Sequence, residues 1–288
     1  MFMEIKMNYL IAGATGDVGS RVVKLLLECG EKPRILVRDV NKARSYFADT
    51  VEVSQGDLGE PTAVRNALEG IDEFFLVNSG PQISARDRIA AQAAVDAGAR
   101  HIVKLSSMDV ELGLAIGAWH ERGEAAIRAS GIEHTFVRPS GFMTNLLAWS
   151  EAIRTDGVVG SSTGDGKRPF IHSNDIAAVV LEALTTRRYD GQILRITGPE
   201  ALRFADITER IAAALRRPLR FERISDEEAR RRYAATGASD EETEAHVALW
   251  RAIREGRLGS VTDDFELMLG RKPIGLDQWI HENLDAFR

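Results

Sequence analysis

Gly13, Gly16 and Gly19 stand between a short apolar run, Tyr9–Ala12, and a segment in which Val18, Val22, Val23, Leu25, Leu26 and Leu27 recur at roughly helical spacing. A helix that opens directly after a strand aims its unpaired N–H groups and the positive end of its dipole over the strand's end, which suits a pyrophosphate. Gly13 would permit the tight turn, Gly16 the close approach of a cofactor, and Gly19 close packing of helix on strand. Thr15, Asp17 and Val18 fall in the same turn and helix start. The chemistry implied is dinucleotide binding. A second strand ends Val37-Arg38-Asp39, with Lys42 following. Arg38, helped by Lys42, would pair with the 2′-phosphate of NADP; alternatively Asp39 would hold the ribose hydroxyls of NAD. The cationic side favours NADP(H) over NAD(H). Asp57 and Leu58 follow a third strand, where the Asp57 carboxylate would meet the adenine amino group or cap the next helix. Asn78, Ser79 and Gly80 form the exit loop of a fourth strand and would lie against the cofactor, as would Pro139 at the end of a sixth.

Catalytic candidates come later in the chain. His120 has Glu124 four residues on, on the same helical face, where a carboxylate could orient the imidazole. A histidine titrates near neutrality and could pass a proton to a substrate carbonyl, although packing beside the nicotinamide or a hydrogen bond to its ribose would equally explain it. Ser106 and Ser107 end the fifth strand, where a hydroxyl could polarise a carbonyl or simply cap the strand. Phe142, Met143 and Asn145, with Trp149 beyond, suggest an apolar substrate slot, which Met108 and Trp119 would approach; core packing is the competing explanation for each large side chain. Residues 160–166 (GSSTGDG) suggest a hairpin at the rim of that slot or a lid over it.

These residues need a scaffold. Strands expected at Tyr9–Ala12, Arg34–Arg38, Val51–Gly56, Ile71–Asn78, His101–Leu105 and Ile132–Arg138 alternate with helical segments. This pattern predicts an α/β, Rossmann-type, doubly wound parallel sheet. From Ala178 onward the chain would build a smaller C-terminal α/β substrate lobe. Residues 1–288 thus read as one NAD(P)-binding chain, with 1–140 the Rossmann core and 141–288 mainly the substrate lobe, with segments returning to the core.

Composition narrows the setting. The formal net charge of −6 argues against nucleic acid or anionic membrane as partner and leaves a small-molecule substrate; a homodimer is compatible with the sequence. No apolar run reaches the length of a membrane span. Cys29, the only cysteine, excludes an internal disulfide and is expected to be a small buried hydrophobe. The six histidines have no paired ligand spacing, so no metal site is expected. Met1–Met7 runs almost directly into the first strand, which leaves no room for a signal peptide and points to the cytoplasm.

Gly-Ala-Thr-Gly-x-x-Gly at 13–19, Leu-Val-Arg-Asp at 36–39, Gly-Asp-Leu at 56–58, Lys-Leu-Ser-Ser at 104–107 and Ser-Gly-Ile-x-x-Thr-x-x-Arg-Pro at 130–139 together resemble an atypical short-chain dehydrogenase of the NmrA-like branch. Pro169-Phe170-Ile171 with Asp175-Ile176-Ala177, and Gly270-Arg271-Lys272-Pro273 with Trp279, are similar to later parts of that family. The branch holds NADPH-dependent quinone oxidoreductases, triphenylmethane and azo-dye reductases, and non-catalytic NADP-sensing regulators. Ordinary short-chain dehydrogenases use a Tyr-x-x-x-Lys relay. None of Tyr9, Tyr46, Tyr189 and Tyr233 has a lysine four residues on, and the relay positions hold Ile116 and His120. The His120/Glu124 spacing resembles the branch's quinone oxidoreductases. The resemblance therefore implies an NADPH-dependent oxidoreductase that transfers hydride to a conjugated, quinone-like or aromatic acceptor. A non-catalytic NADP sensor, or a biosynthetic reductase or isomerase of a specialised metabolite, is the alternative it leaves open.

Overall fold

A computed structural model describes residues 7–288. Residues 1–6, on which most of the reading about a signal peptide rests, lie outside the described residues. The central sheet contains β1 (Tyr9–Ala12), β2 (Arg34–Val37), β3 (Glu52–Gln55), β4 (Glu73–Leu76), β5 (His101–Leu105), β6 (Glu133–Pro139) and a seventh strand, Ile193–Ile196. Their spatial order is seventh–β6–β5–β4–β1–β2–β3. Strands β1 to β6 pair in parallel. The seventh strand runs the same way, since Gly191 donates to His134, Gln192 accepts from Phe136 and Ile196 accepts from Ser140 as both segments advance. Helices α1 (Asp17–Glu28), α2 (Val40–Phe47), α3 (Pro61–Leu68), α4 (Ile83–Ala97) and α5 (Ala115–Ser130) form the crossovers. Every residue of β1, β4 and β5 is buried, as expected of parallel strands covered on both faces.

The strand order reverses at β1, between β2 and β4, and ligands in open α/β sheets bind outside the carboxyl ends of strands at such a switch point. The α/β, Rossmann-type architecture thus matches the expectation from sequence, with differences in detail. Pro139 belongs to β6 instead of stopping it. Ile193–Ile196, expected in the smaller lobe, extends the main sheet. Cys29 is exposed, because the buried stripe of α1 ends at Leu26 and Cys29 sits beyond it at the helix C-cap.

The chain forms two compact units. The first comprises residues up to Ser107, Trp119–Arg138 and Ile176–Leu194; the second comprises Met108–Ala118, Pro139–Asp175 and Arg195–Arg288. The first unit's core packs Leu10, Leu36, Val64, Leu68, Phe74, Leu76, Ile102 and Phe136 between sheet and helices. The second is centred on Trp279, with Phe170, Phe204, Ile207, Ile211, Ile253 and Phe287 around it. Its strands form a three-stranded sheet (Ala201–Arg203, Lys167–Ile171, Gly141–Phe142) and a parallel pair (Arg220–Arg223, Val158–Ser161). Residues 160–166 are therefore not a hairpin, because the strands on either side belong to different sheets. Nor are they built as a lid. Ser161, Ser162 and Thr163 are buried, Arg254 donates to the Ser162 carbonyl, and a Cβ on Gly166 would lie 1.8 Å from the Ile253 carbonyl oxygen.

Candidate active site

The glycine turn adopts the form that its residues dictate. Gly13 has φ +64°, a left-handed conformation that disfavours side chains. Gly16 N–H donates to the Gly13 carbonyl at 2.9 Å and serves as N-cap of α1, with no side chain occupying the helix end. A Cβ on Gly19 would stand 2.2 Å from the Gly13 carbonyl oxygen, so the helix can seat this close only with glycine there. The opened turn forms one wall of a cavity of about 370 Å³. Gly13, Thr15 and Gly16 lie on this side, Arg38 just after β2 and Lys42 in the first turn of α2, Asp57 and Leu58 after β3, and Asn78 and Ser79 after β4. Nine of the residues expected to bind the cofactor are thus brought to one cavity, and Arg86 joins them. Among its other expected contacts, Asp17 points along α1 to Arg21 (3.2 Å), Val18 is buried in the core, and Gly80, with φ +82°, lies in the turn just beyond Ser79. Pro139 lies in the second unit and His120 away from this lining.

Two side chains in this region have other work. Asp39 caps α2 by accepting from the Lys42 backbone N–H at 3.0 Å, and it does not line the cavity. Asp57 is not the cap of α3, which is Glu60; it accepts from Gly59 N–H at 2.8 Å and lies 3.5 Å from Arg86 and 3.8 Å from Arg38. The Arg38 side chain is 81% exposed, so its guanidinium remains open to an anion.

At the carboxyl ends of β5 and β6 the charges are buried and paired. Glu124 on α5 accepts from Ser106 Oγ (2.6 Å), from Arg138 Nε (2.9 Å) and Nη2 (2.6 Å), and from Arg128 Nη2 (2.9 Å). Burial alone would raise its pKa, but the hydrogen bonds from Arg138 and Ser106 and the arginine charges outweigh that and hold it below the ordinary carboxylate range. Glu124 therefore does not orient His120, because its oxygens are taken. Burial, with the charges of Lys104 and Arg138 added, pushes the His120 imidazole well below its ordinary pKa, and its Nδ1 is buried with no partner among the described residues. Ser106 gives its proton to Glu124 and can only accept from a ligand, whereas Ser107 is half-buried beside it. Trp119 is buried in the same unit.

Lys104, also on β5, forms an ion pair at 2.6 Å with Asp87 on α4, and both side chains are fully buried. Asp87 also accepts from Asn78 Nδ2 at 2.6 Å. Burial raises the Asp87 carboxyl against the pull of Lys104. Asp87, Lys104 and Arg138 carry one local signal in the sequence, a charge inside an apolar helical or strand stripe; their partnerships need the fold.

The second unit has a cavity of its own, about 400 Å³, lined by Asn145, Trp149, Arg168, Phe204, Tyr233, His246 and Trp250 among others. His246 stacks on Tyr233 (ring centroids 4.2 Å) and Trp250 meets the Tyr233 ring edge-on at 5.7 Å. The His246 Nδ1 faces the Glu242 carbonyl at 2.8 Å, which fixes the proton on that nitrogen and leaves Nε2 to accept from the Tyr233 hydroxyl at 3.1 Å. Arg168 is buried and paired with Asp109 at 3.1 Å. Of the residues expected to form the substrate slot, Asn145 and Trp149 line this cavity. Met143 is buried in the core, and Phe142 and Met108 are half-buried elsewhere in the unit. Tyr233 and His246 were hidden in sequence because they come from a charged helix, Asp226–Ala234, and from the helix Asp240–Arg254, neither of which carries a recognisable site pattern.

The fold and the glycine-lined cavity define a dinucleotide-binding protein of the Rossmann class. Its residues 13–187 match a family model described as NAD(P)H-binding. It is 37% identical over 281 residues to (4-alkanoyl-5-oxo-2,5-dihydrofuran-3-yl)methyl phosphate reductase of Streptomyces griseus subsp. griseus, covering 96% of this chain and 98% of that one. It is 35% identical over 282 residues to NAD(P)H azoreductase of Xenophilus azovorans, with the same coverage of 96% and 98%. In fold it is similar to an NADPH-dependent quinone oxidoreductase from Escherichia coli crystallised with NADPH, at TM-score 0.87, 22% identity and coverage of 96% and 99%. The chain belongs to the NAD(P)H-binding family, in the NmrA-like branch of atypical short-chain dehydrogenases, and is an NAD(P)H-dependent oxidoreductase. Among the described residues no helix is long and apolar enough to cross a membrane.

Proposed function

We propose that this enzyme is an NADPH-dependent reductase that delivers hydride to a conjugated, quinone-like or aromatic acceptor and needs no tyrosine–lysine relay. The observation that carries this reading is the state of the candidate acids. Ser106 has committed its proton to Glu124, and His120 is held neutral by burial between Lys104 and Arg138. A reductase so equipped suits an acceptor whose conjugated system spreads the arriving charge. The names of the two curated relatives fit, one reducing a 5-oxo-2,5-dihydrofuran and the other an azo compound. The bound nicotinamide cofactor would supply the hydride. The protein's part is to hold the dinucleotide on the N-terminus of α1, to accept its 2′-phosphate at Arg38 and Lys42, and to exclude water. His120, Ser106 and Ser107 then serve as packing and hydrogen-bonding groups more than as proton donors. The test is loss of NADPH absorbance with a panel of quinones and azo dyes; absence of oxidation across the panel would overturn the reading.

NADPH preference rests on Arg38, which faces the cavity while Asp39 is spent as a helix cap. Replacing Arg38 with serine is expected to weaken NADPH binding by about one to two orders of magnitude, from the loss of a charge-assisted phosphate contact, while leaving NADH binding within about twofold. Equal losses for both cofactors in fluorescence titrations would refute it.

The acceptor is assigned to the aromatic cavity of the second unit, where stacked rings and a few convergent polar groups suit a planar molecule. Trp250→Ala is expected to raise the KM for naphthoquinone about tenfold, the equivalent of ~1.4 kcal/mol of lost stacking. The KM for NADPH should not move; a shift in that value instead would place the acceptor elsewhere.

A further inference from the structure

The Lys104 charge helps to keep His120 neutral, but the ion pair that Lys104 forms with Asp87 is not explained by that, and it is costly. Both side chains are fully buried, and burying two charges costs several kcal/mol per ion, so apolar residues of similar size would stabilise a fold equally well or better. Its neighbours suggest what it accomplishes. One carboxylate oxygen of Asp87 lies 2.6 Å from Lys104 Nζ, and the other accepts from Asn78 Nδ2 at 2.6 Å. Asn78 and its neighbours Val77 and Ser79 line the nucleotide cavity. The Asn78 side chain is thus turned inward to the carboxylate while its segment forms cavity wall. The carboxylate in turn is fixed from a third side: a Cβ on Gly123 of α5 would lie 1.9 Å from Asp87 Oδ2, so the helix backbone closes directly over it.

We infer that Asp87, with Lys104 as its counter-ion and Gly123 as the space that admits it, is a positioning residue for the cofactor, holding the 77–79 loop in the shape that completes the dinucleotide cavity. The loop follows β4, on the opposite side of β1 from the Arg38 end of β2. The pair should therefore matter for the part of the cofactor beyond the adenosine and its phosphates, and not for the part that Arg38 and Lys42 hold.

The inference rests on the cavity being the NADPH site, and the test separates the two. Binding of NADPH, adenosine 2′,5′-bisphosphate and 5′-AMP is measured by calorimetry on the full chain, for wild type, for Asp87→Leu/Lys104→Met, which removes both charges together and leaves every lining residue in place, and for Asn78→Leu, which cuts the link between the carboxylate and the loop. Wild-type binding of the bisphosphate over 5′-AMP tests the NADPH assignment by itself. In both variants NADPH affinity is expected to fall about tenfold while the better-binding fragment stays within about twofold; a general loss of structure would weaken both alike. The double variant is also expected to melt no lower than wild type. Unchanged NADPH affinity in either variant, or equal losses for NADPH and fragment, would overturn the inference. Should the double variant fail to fold, Asn78→Leu decides the matter by the same ratio.

Discussion

Gly19→Ala is expected to weaken NADPH binding by at least tenfold and to lower stability by about 1–3 kcal/mol, the usual cost of forcing an extra methyl into a packed site. The cause is local. A Cβ at Gly19 would sit 2.2 Å from the Gly13 carbonyl oxygen and 2.7 Å from the Gly13 carbonyl carbon, both backbone atoms that no rotamer change can move. Relief requires α1 to lift from the end of β1. Lifting it moves the Gly16 N-cap and the first free N–H groups of α1 away from the position where a pyrophosphate would meet them, so binding suffers more than stability does. Gly30→Ala, just past the C-cap of the same helix, is a contrast: its added Cβ meets nothing within 4 Å, but its φ of +83° makes the substitution strained. It should therefore lower stability without changing NADPH affinity. Thermal melts paired with cofactor titrations on the two variants separate the effects. Gly19→Ala binding NADPH as wild type does would show that the close seat of α1 is not needed by the ligand.

The same contrast explains what could be read from the amino-acid order alone. The glycine turn was legible because its three glycines answer to local geometry, with strand and helix within a few residues of each other. Arg38 was legible because it follows a strand whose place in the sheet comes from the alternation of strands and helices, and Lys42 because it stands in the first turn of the helix after it. Strand ends were less legible, since Asn78 and Arg38 extend apolar runs in sequence but lie past the last ladder bond. The catalytic end was not legible in the same way. His120 and Glu124 have the spacing of a helical pair, yet Glu124 turns to Arg138 on β6 and Ser106 after β5, fourteen and eighteen residues away. A strand-borne arginine offers a bidentate, fully charged partner that an imidazole cannot match, and only the adjacency of β5 and β6 brings it there. Cys29 shows the converse: its position on the helical wheel suggested burial, but the helix ends before tertiary packing can enclose it. The aromatic cavity of the second unit was hidden for a related reason. Tyr233 and His246 stack across two helices, and their ring contact is a tertiary fact with no periodicity to announce it.

The buried cluster around Glu124 gives the largest stability effect expected in the molecule. Glu124→Ala should lower stability by about 3–5 kcal/mol, because it leaves the buried Arg138 guanidinium without its bidentate acceptor and removes the acceptor of Ser106. Glu124→Leu/Arg138→Met should recover most of that loss, since the desolvation cost disappears with both charges. The cluster also contributes to the loss of stability in acid. The folded pKa of Glu124 is depressed, so its contribution is fully present above the unfolded value of about 4.3 and is lost as the pH falls from there towards the folded value. His120 acts in the same direction at higher pH. Its folded pKa is also depressed, so its buried neutral form stabilises the fold above the unfolded value of about 6.5, and that contribution declines as the pH falls and the unfolded chain takes up a proton. Wild type is therefore expected to lose stability in two stages on acidification, first below about pH 6.5 and again below about pH 4.3. His120→Leu should reduce the first stage, to which His246, also depressed by burial, contributes, and Glu124→Leu/Arg138→Met should reduce the second, which Asp226 shares. Urea midpoints measured from pH 7.5 to 3.5 check both assignments, and a double variant that retains the wild-type slope at the acid end would mean that Glu124 is not the carboxylate responsible.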